Sequence, residues 1–351
     1  MSSQRTGFTT GTCAAAAAKA ASMILIGRKV PERVEVGLPD GTRVELPIVR
    51  AGGDGTRGEA AVKKDAGDDP DVTDGALIVA SVTWARTEGV TFFAGEGVGT
   101  VTKPGLALPP GEPAVNPVPR NMISAAVREV TDGNVSVTVS IPGGRELAEK
   151  TFNPRLGVTG GLSILGTSGI VRPFSGTALR DSLRCALSVA VACGVRYPIL
   201  VPGRIGERAA GNLFQFSPEQ LIEVSNEWGF MLDQATGEDF DGLLVVGHPG
   251  KTAKLPAGHW DTHSTRSPSA VPYVAELACR ILGRSVPHAT TVEGLFHGLP
   301  SQERERVADE LAAEIRNAIS FRIKKRFPVT VVLVTLSGSL LGSSGDVSPW
   351  K

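Results

Sequence analysis

The sequence predicts an α+β domain over residues 1–150 followed by a smaller, Rossmann-like α/β domain over residues 151–351. The second is expected to hold a four-stranded, mostly parallel sheet with helices on both faces, and residues 337–351 carry no assigned element. Three observations lead there. Short apolar runs in the second half (LSIL, YPILV, GLLVVGH, VTVVLVTL) alternate with helix-length amphipathic segments, the pattern of a doubly wound sheet. The first half has strands and one Ala-rich helix without that alternation. The character changes at TFNPRLGVTGGLSILGTSGIV, and 351 residues suffice for two cores.

In the first domain, an Ala-rich helix from about Cys13 to Ile26 follows GFTTGT, with Thr10 or Thr12 as its cap. VEVGLPDGTRVELPI reads as a hairpin turning at Pro39-Asp40-Gly41. GALIVASVTW reads as a buried strand, and VSVTVSIPGG alternates with the period of a half-exposed one. Between them, GEGVGTVTKPGLALPPGEPAVNPVPR is too rich in Gly and Pro for either regular element and reads as a shaped loop.

In the second domain, LSIL is the first expected strand, ending in Gly166-Thr167-Ser168-Gly169. A helix across TALRDSLRCALSVAVACG, the strand YPILV, and helices in GERAAGNLFQF and SPEQLIEVSNEWGFML follow. GLLVVGH and VTVVLVTL are the third and fourth strands. The helix before the last places Val307, Leu311, Ile315 and Ile319 at four-residue spacing. Arg322, Lys324, Lys325 and Arg326 close it and complement its dipole.

Composition narrows the function classes. With 36 Lys plus Arg against 36 Asp plus Glu, no global field recruits nucleic acid or a membrane, so any anion is recognised locally. The run AAAAAKAASMILIG is interrupted by Lys19 and too weakly apolar for an export signal, and VTVVLVTL is too short to span a bilayer. Cys13, Cys185, Cys193 and Cys279 show no CxxC or zinc spacing, and Cys185 and Cys193, on one expected helix, read as reduced core thiols. These features give the expectation of a cytoplasmic protein.

The densest chemistry lies in GHPGKTAKLPAGHWDTHS, with His248, His259, His263, Lys251 and Lys254 beyond the third strand. As a phosphate loop it lacks the first glycine, since Val245 stands there, and Pro249 removes a backbone donor. As a zinc site it has His259 and His263 four apart, but Trp260 stands where a zincin needs Glu, and no tetrahedral set is completed. What remains is a pocket wall for a substrate with several carboxylates, or a solvated loop. Gly166–Gly169 offers a strand–glycine–helix turn for a nucleotide-like cofactor, yet lacks the full GxGxxG. LVPGRIGE supplies Glu207 only after a detour, so a structural turn stays open. Gly95, Gly97 and Gly99 could line a ligand or form a bulged strand. Arg120 and Arg155 stand behind prolines as mounted planar donors, with a structural ion pair as the alternative. GFTTGT gathers hydroxyls at a helix start, for capping or for a ligand.

Taken in order, GFTTGTCAAAAAKAA, GEGVGTVTKPGL, GEPAVNPVPR, TFNPRLGVTGGLSILGTSGIV and GHPGKTAKLPAGHWDTHS resemble the blocks of the CbiD family, the cobalt-precorrin-5B C1-methyltransferases of anaerobic cobalamin synthesis. The resemblance runs from Arg5 to about VTVVLVTL. It implies methyl transfer from S-adenosylmethionine to ring carbon 1 of a cobalt-bearing corrin precursor, giving cobalt-precorrin-6A. The cobalt belongs to the substrate, and no protein-bound metal is expected. On this reading, Gly166, Thr167, Ser168, Gly169 and Gly247 hold the cofactor. Thr10, Thr12, Gly97, Lys103, Asn116, Arg120, Arg155, Lys251, Lys254, His259 and His263 face the tetrapyrrole and its acetate and propionate groups, and His248 is the candidate base. The substrate would bridge to the first domain. Handover to neighbouring pathway enzymes and assembly as a homo-oligomer are compatible with it. Two other classes stay open: a non-catalytic carrier of corrinoid intermediates and an ATP-using enzyme.

Overall fold

The computed structural model describes residues 4–173 and 176–351. The chain divides into two compact units, Met1–Ala178 and Leu179–Lys351. Thr151–Ala178, expected to open the second domain, therefore belongs with the first.

The first unit is organised around α1 (Thr10–Leu25), capped by the Thr9 hydroxyl, which accepts from Thr12 N. Cys13, Ala14–Ala18, Ala20 and Ala21 are all 2% exposed or less, so nearly every side of this helix faces protein. Small side chains let it lie close on a five-stranded sheet of β1 (Arg50–Gly53), β2 (Arg57–Lys63), β3 (Leu77–Trp84), β4 (Val90–Ala94) and β5 (Val135–Ser140). Their spatial order is β1-β2-β3-β5-β4, antiparallel except for the β5–β4 pair. The approach of α1 to β2 is close enough that a Cβ on Gly58 would lie 1.9 Å from the Ala21 carbonyl oxygen. Val135, Val137 and Val139 point into this core, and the Ser and Thr between them do not, as the period-two pattern predicts. The hairpin forms from Arg33–Gly37 and Arg43–Pro47, and α2 (Pro117–Arg128) packs beside α1.

The Gly- and Pro-dense loop is tied down by short pairings: Thr100–Val101 with Val158–Thr159, and bridges Val98↔Leu162 and Val115↔Ile164. LSIL is thus an apolar segment of the first unit and not a strand of the second unit's sheet. Ile170–Val171 then pairs with Gly7–Phe8.

The second unit contains a five-stranded sheet, one strand more than expected. Its strands are β6 (Ile199–Val201), β7 (Leu221–Glu223), β8 (Leu243–Gly247), β9 (Val329–Val334) and β10 (Leu340–Ser344), in the order β7-β6-β8-β9-β10. The first four are parallel, and β10, from the unassigned C-terminal stretch, is antiparallel on β9. SPEQLIEVSNEWGFML is not one helix; it holds a 3₁₀ turn at Pro218–Gln220, then β7, then α5 (Trp228–Thr236).

Alternate residues of the strands enter two cores. Leu200, Leu243, Val245, Val331 and Leu333 meet α3 (Gly176–Ala192), α5, α6 (Val271–Leu282) and α7 (Ser301–Arg322) on one face. Ile199, Val201, Leu244, Val246, Val332 and Val334 meet α4 (Arg204–Leu213) and Trp350 on the other. Both faces are covered, which is why the strands read as continuous apolar runs. Val307, Leu311, Ile315 and Ile319 of α7 are fully buried. Cys193, expected in the core, is exposed just beyond α3. Among the described residues no helix is long and apolar enough to cross a membrane.

Candidate functional site

Open α/β sheets bind ligands beyond the carboxyl ends of their strands, where neighbouring connections depart in opposite directions. In the second unit that point lies between β6 and β8, because the chain places β7 on one side of β6 and then β8 on the other. Two loops meet there. After β6 come Pro202, Gly203 and Arg204; after β8 come His248, Pro249, Gly250 and Lys251.

Each loop is shaped by its residues. Gly203 has φ 141°, a region that L side chains rarely adopt, and it precedes α4 directly. A Cβ on Gly206, one turn on, would fall 2.5 Å from the Val246 carbonyl oxygen, so α4 can pack on β8 only with glycine at that position. Glu223 ends β7, in register with Val201, and its Oε1 lies 3.6 Å from where a Cβ of Gly203 would stand. The Arg204 side chain is exposed and makes no hydrogen bond or ion pair with another described residue.

The β8 loop is held by its own polar groups. The His248 ring accepts from Gly250 N at its Nδ1 (3.0 Å) and meets Glu293 Oε2 through its Nε2 (2.9 Å). Glu293 also accepts from Leu336 N (3.4 Å), tying in the loop after β9. The half-buried Lys251 amine donates to Pro202 O (3.3 Å), joining the two loops. Burial lowers the Lys251 pKa, while the nearby Glu223 charge works the other way.

The residues expected to form the site sort by their contacts. His248, Gly247 and Lys251 do stand at the ligand-binding end of the sheet. With Nδ1 engaged as an acceptor and Nε2 turned to Glu293, His248 is built as a cap, which leaves no free lone pair for a base. Lys254 is buried, donating to Thr262 O (3.1 Å) and Ser267 Oγ (3.0 Å), so it braces its own loop and presents no charge to a substrate. His263 Nδ1 pairs with Thr265 Oγ1 (2.8 Å), and His259 is half-buried with its amide on Lys254 O.

Gly166–Gly169 lies in the first unit and packs on the start of α1. A Cβ on Gly166 would lie 2.5 Å from Thr9, and Thr12 Oγ1 donates to Gly169 O (2.6 Å). Thr167 and Ser168 are exposed, with Ser168 Oγ bonded to Ile170 O (3.1 Å). Thr10 is likewise consumed, donating to Leu165 O and accepting from Leu165 N. The strand–glycine–helix premise for a cofactor loop here is therefore replaced by a buttress for α1.

Elsewhere in the first unit, position 97 must be glycine: its φ is 68°, and a Cβ there would lie 2.0 Å from the Ile141 carbonyl oxygen. Arg120 is pinned by Val115 O, Pro113 O and Glu112 and stacks 5.3 Å over Phe92, the structural ion pair that was its alternative reading. Asn116 caps α2 by position, without a side-chain bond to the helix. The Lys103 stem covers Gly157, and Arg155 is exposed. Among the described residues no group of three or more His, Cys, Asp or Glu is placed to hold a metal ion.

Glu223, Gly203, Arg204 and Glu293 escape the sequence reading. The available signal was the pair Gly203 and Gly206 directly after an apolar strand, with an acid twenty residues beyond Gly203. It is masked because Glu223 lies in a stretch that reads as helix.

Comparison with known proteins bears on the whole chain. The CbiD family model matches residues 1–173, nearly all of the first unit. The cobalt-precorrin-5B C(1)-methyltransferase of Syntrophotalea carbinolica is 57% identical over 98% of this chain and 98% of its own length. That of Salinispora arenicola is 42% identical over 97% of this chain and 93% of its own. A crystal structure of the cobalamin biosynthesis protein CbiD from Archaeoglobus fulgidus is 30% identical, with a TM-score of 0.40, covering 75% of this chain and 83% of that one. With 57% identity over 98% of its length to such a relative, the chain belongs to the CbiD family.

Proposed function

We propose that this chain is a C-methyltransferase of cobalamin biosynthesis, moving a methyl group from S-adenosylmethionine to ring carbon 1 of cobalt-precorrin-5B to give cobalt-precorrin-6A. The observation that carries the reading is the 57% identity, over nearly the full length of both chains, to a protein bearing that activity as its name. The β6/β8 switch point suits a nucleoside-type methyl donor: it carries a glycine loop at the edge where such sheets take ligands.

When bound, S-adenosylmethionine supplies an electrophilic methyl on sulfonium. The reaction partner is an electron-rich ring carbon, so the chain's task is alignment, which can contribute roughly 7–11 kcal/mol. The bonds from Lys251 to Pro202 and from His248 to Gly250 and Glu293 fix the loops that would impose it. Arg204, exposed at the mouth of the loop, is placed to meet a carboxylate of the tetrapyrrole by a charge-assisted bond. Arg120 and Lys254 are committed to structural bonds and drop out of that role.

The test is incubation with cobalt-precorrin-5B and methyl-labelled S-adenosylmethionine, followed by mass spectrometry and carbon NMR of the tetrapyrrole. One labelled methyl at ring carbon 1 is expected. Tetrapyrrole binding with no label transferred would leave the carrier reading instead.

A further inference from the structure

We propose that the second unit carries a further binding site, for a small monocarboxylate with a flat apolar body, in a cleft at the amino ends of β6, β8 and β9. The cleft lies at the opposite end of the strands from the loops assigned to methyl transfer, and the inference is independent of that assignment.

Shape makes the first argument. The cleft has a volume of about 490 Å³, inside the range of roughly 300–1,000 Å³ that holds small ligands. Its walls come from the loops that enter the three strands, from the C-terminal half of α7 and from the last residues of the chain. Tyr197, before β6, is held there by Trp350. The two rings meet edge to face with centroids 5.7 Å apart, and Trp350 Nε1 donates to Tyr197 O (3.0 Å). Gly242, before β8, makes room for the Tyr197 ring, since a Cβ there would lie 3.2 Å from it. Pro328 and Pro349 add two rigid rings to the lining. Flat apolar surfaces of this kind suit a planar body.

Charge makes the second. Arg316 lines the cleft from α7 and is half-buried, and its side chain makes no hydrogen bond or ion pair with another described residue. Arg196 and Arg326, in the loops that enter β6 and β9, each have a carboxylate, Asp241 at 2.7 Å and Asp239 at 3.1 Å. A guanidinium partly withdrawn from water with no counter-charge gains from an anion that enters beside it. Its planar fork matches a carboxylate, and Ser320, one turn further along α7, brings a hydroxyl donor to the same cleft. The acids of the lining restrict the ligand to one negative charge. Asp241 is neutralised by two bonds from Arg196 (3.0 and 2.7 Å). Asp346 accepts only from Ser348 N (2.9 Å) and Ser348 Oγ (2.8 Å), so it keeps its charge and disfavours a dicarboxylate or a phosphate dianion.

The experiment is fluorine NMR titration of para-fluorobenzoate, and of the neutral para-fluorobenzamide, into the full-length protein and its Arg316→Gln and Arg204→Gln variants. The wild type is expected to bind the carboxylate about 10- to 100-fold more tightly than the amide, the range for hydrogen bonds to a charged group. Arg316→Gln should bring the two probes level. Arg204→Gln, at the other end of the strands, and saturating S-adenosylhomocysteine should leave the titration unchanged. Equal wild-type binding of both probes, or binding of neither, overturns the assignment even if a variant misfolds. A carboxylate preference that survives Arg316→Gln overturns it too. So does one that Arg204→Gln or S-adenosylhomocysteine abolishes, which would place the anion at the carboxyl ends of the strands instead.

Discussion

Replacing Asp71 by Asn tests how the first unit tolerates a buried charge. Lys64, the residue directly after β2, has a side chain only 1% exposed, and its amine lies 2.8 Å from Asp71 Oδ2. The other carboxylate oxygen accepts from Thr73 N (2.8 Å) and Thr73 Oγ1 (2.7 Å), bonds that the Asn oxygen can keep. The substitution therefore removes the charge and little else. Stranding a buried ammonium costs about 3–5 kcal/mol. At roughly 2–4 °C per kcal/mol for a unit of this size, thermal unfolding of the first unit should fall by about 6–20 °C. Lys64→Met in the Asp71→Asn background removes the stranded charge and should recover most of the loss. Scanning calorimetry of wild type, both single variants and the double closes the cycle. A drop under about 1 kcal/mol for Asp71→Asn, or a double variant no more stable than that single, would refute the reasoning. Acid supplies a second check. Burial alone would raise the Asp71 pKa, but the bonds from Lys64 and Thr73 hold it below its ordinary value of 3.8. Its contribution should be complete above that value and be lost as pH falls through the lower folded one.

Other substitutions probe the remaining contacts. Gly58→Ala drives a methyl into the Ala21 carbonyl at 1.9 Å and should destabilise the first unit by about 1–3 kcal/mol or more, measured by urea denaturation; an unchanged midpoint would mean α1 can lift off the sheet freely. His248→Ala should cost about 1 kcal/mol as a lost cap, and His248→Asn less, with the pH–rate profile of methyl transfer unmoved in His248→Asn; a vanished limb in that profile would restore His248 as a base. Lys251 has a pKa lowered by burial, so the unfolded chain binds its proton more tightly than the folded one. Stability should rise with pH between the lowered value and the ordinary 10.5, and Lys251→Met should abolish that rise in denaturation curves taken across the alkaline range.

The sequence showed most of the elements and few of their partners. VSVTVS, GLLVVG and VTVVLV declare themselves through apolar pattern, and α7 through its four-residue spacing, because burial on one face or both leaves a period in the chain. Leu221–Glu223 leaves none. Three residues are too few to show a period, and their LIE is also good helix material, so β7 vanishes into its neighbours. LSIL is the opposite case. Its apolar run is real, but what it packs on is set by Val98 and Val115, far back in the chain, and no local pattern carries that information. Gly166–Gly169 fails for the same reason: a strand, a glycine turn and a helix look alike whether the turn cradles a ligand or Thr9 and Thr12. The histidines and lysines after β8 were visible as a cluster. Their inward bonds were not, because a polar side chain that caps its own loop has the same composition as one that waits for a substrate.

The crowding around α1 bears on how chains of this kind are recognised. Where a methyl group has no room to become an ethyl, selection can accept only Ala, Gly, Ser or Cys, and the tolerated alphabet shrinks without any chemistry being at stake. GFTTGTCAAAAAKAA is such a stretch: its hydroxyls cap and brace, and its alanines fill a gap one methyl deep. A scan of every substitution along it should find intolerance as severe as that of a catalytic loop, graded by side-chain volume and indifferent to polarity. If the site lies in the second unit as proposed, the badge by which the chain is known and the tool with which it works are separate parts.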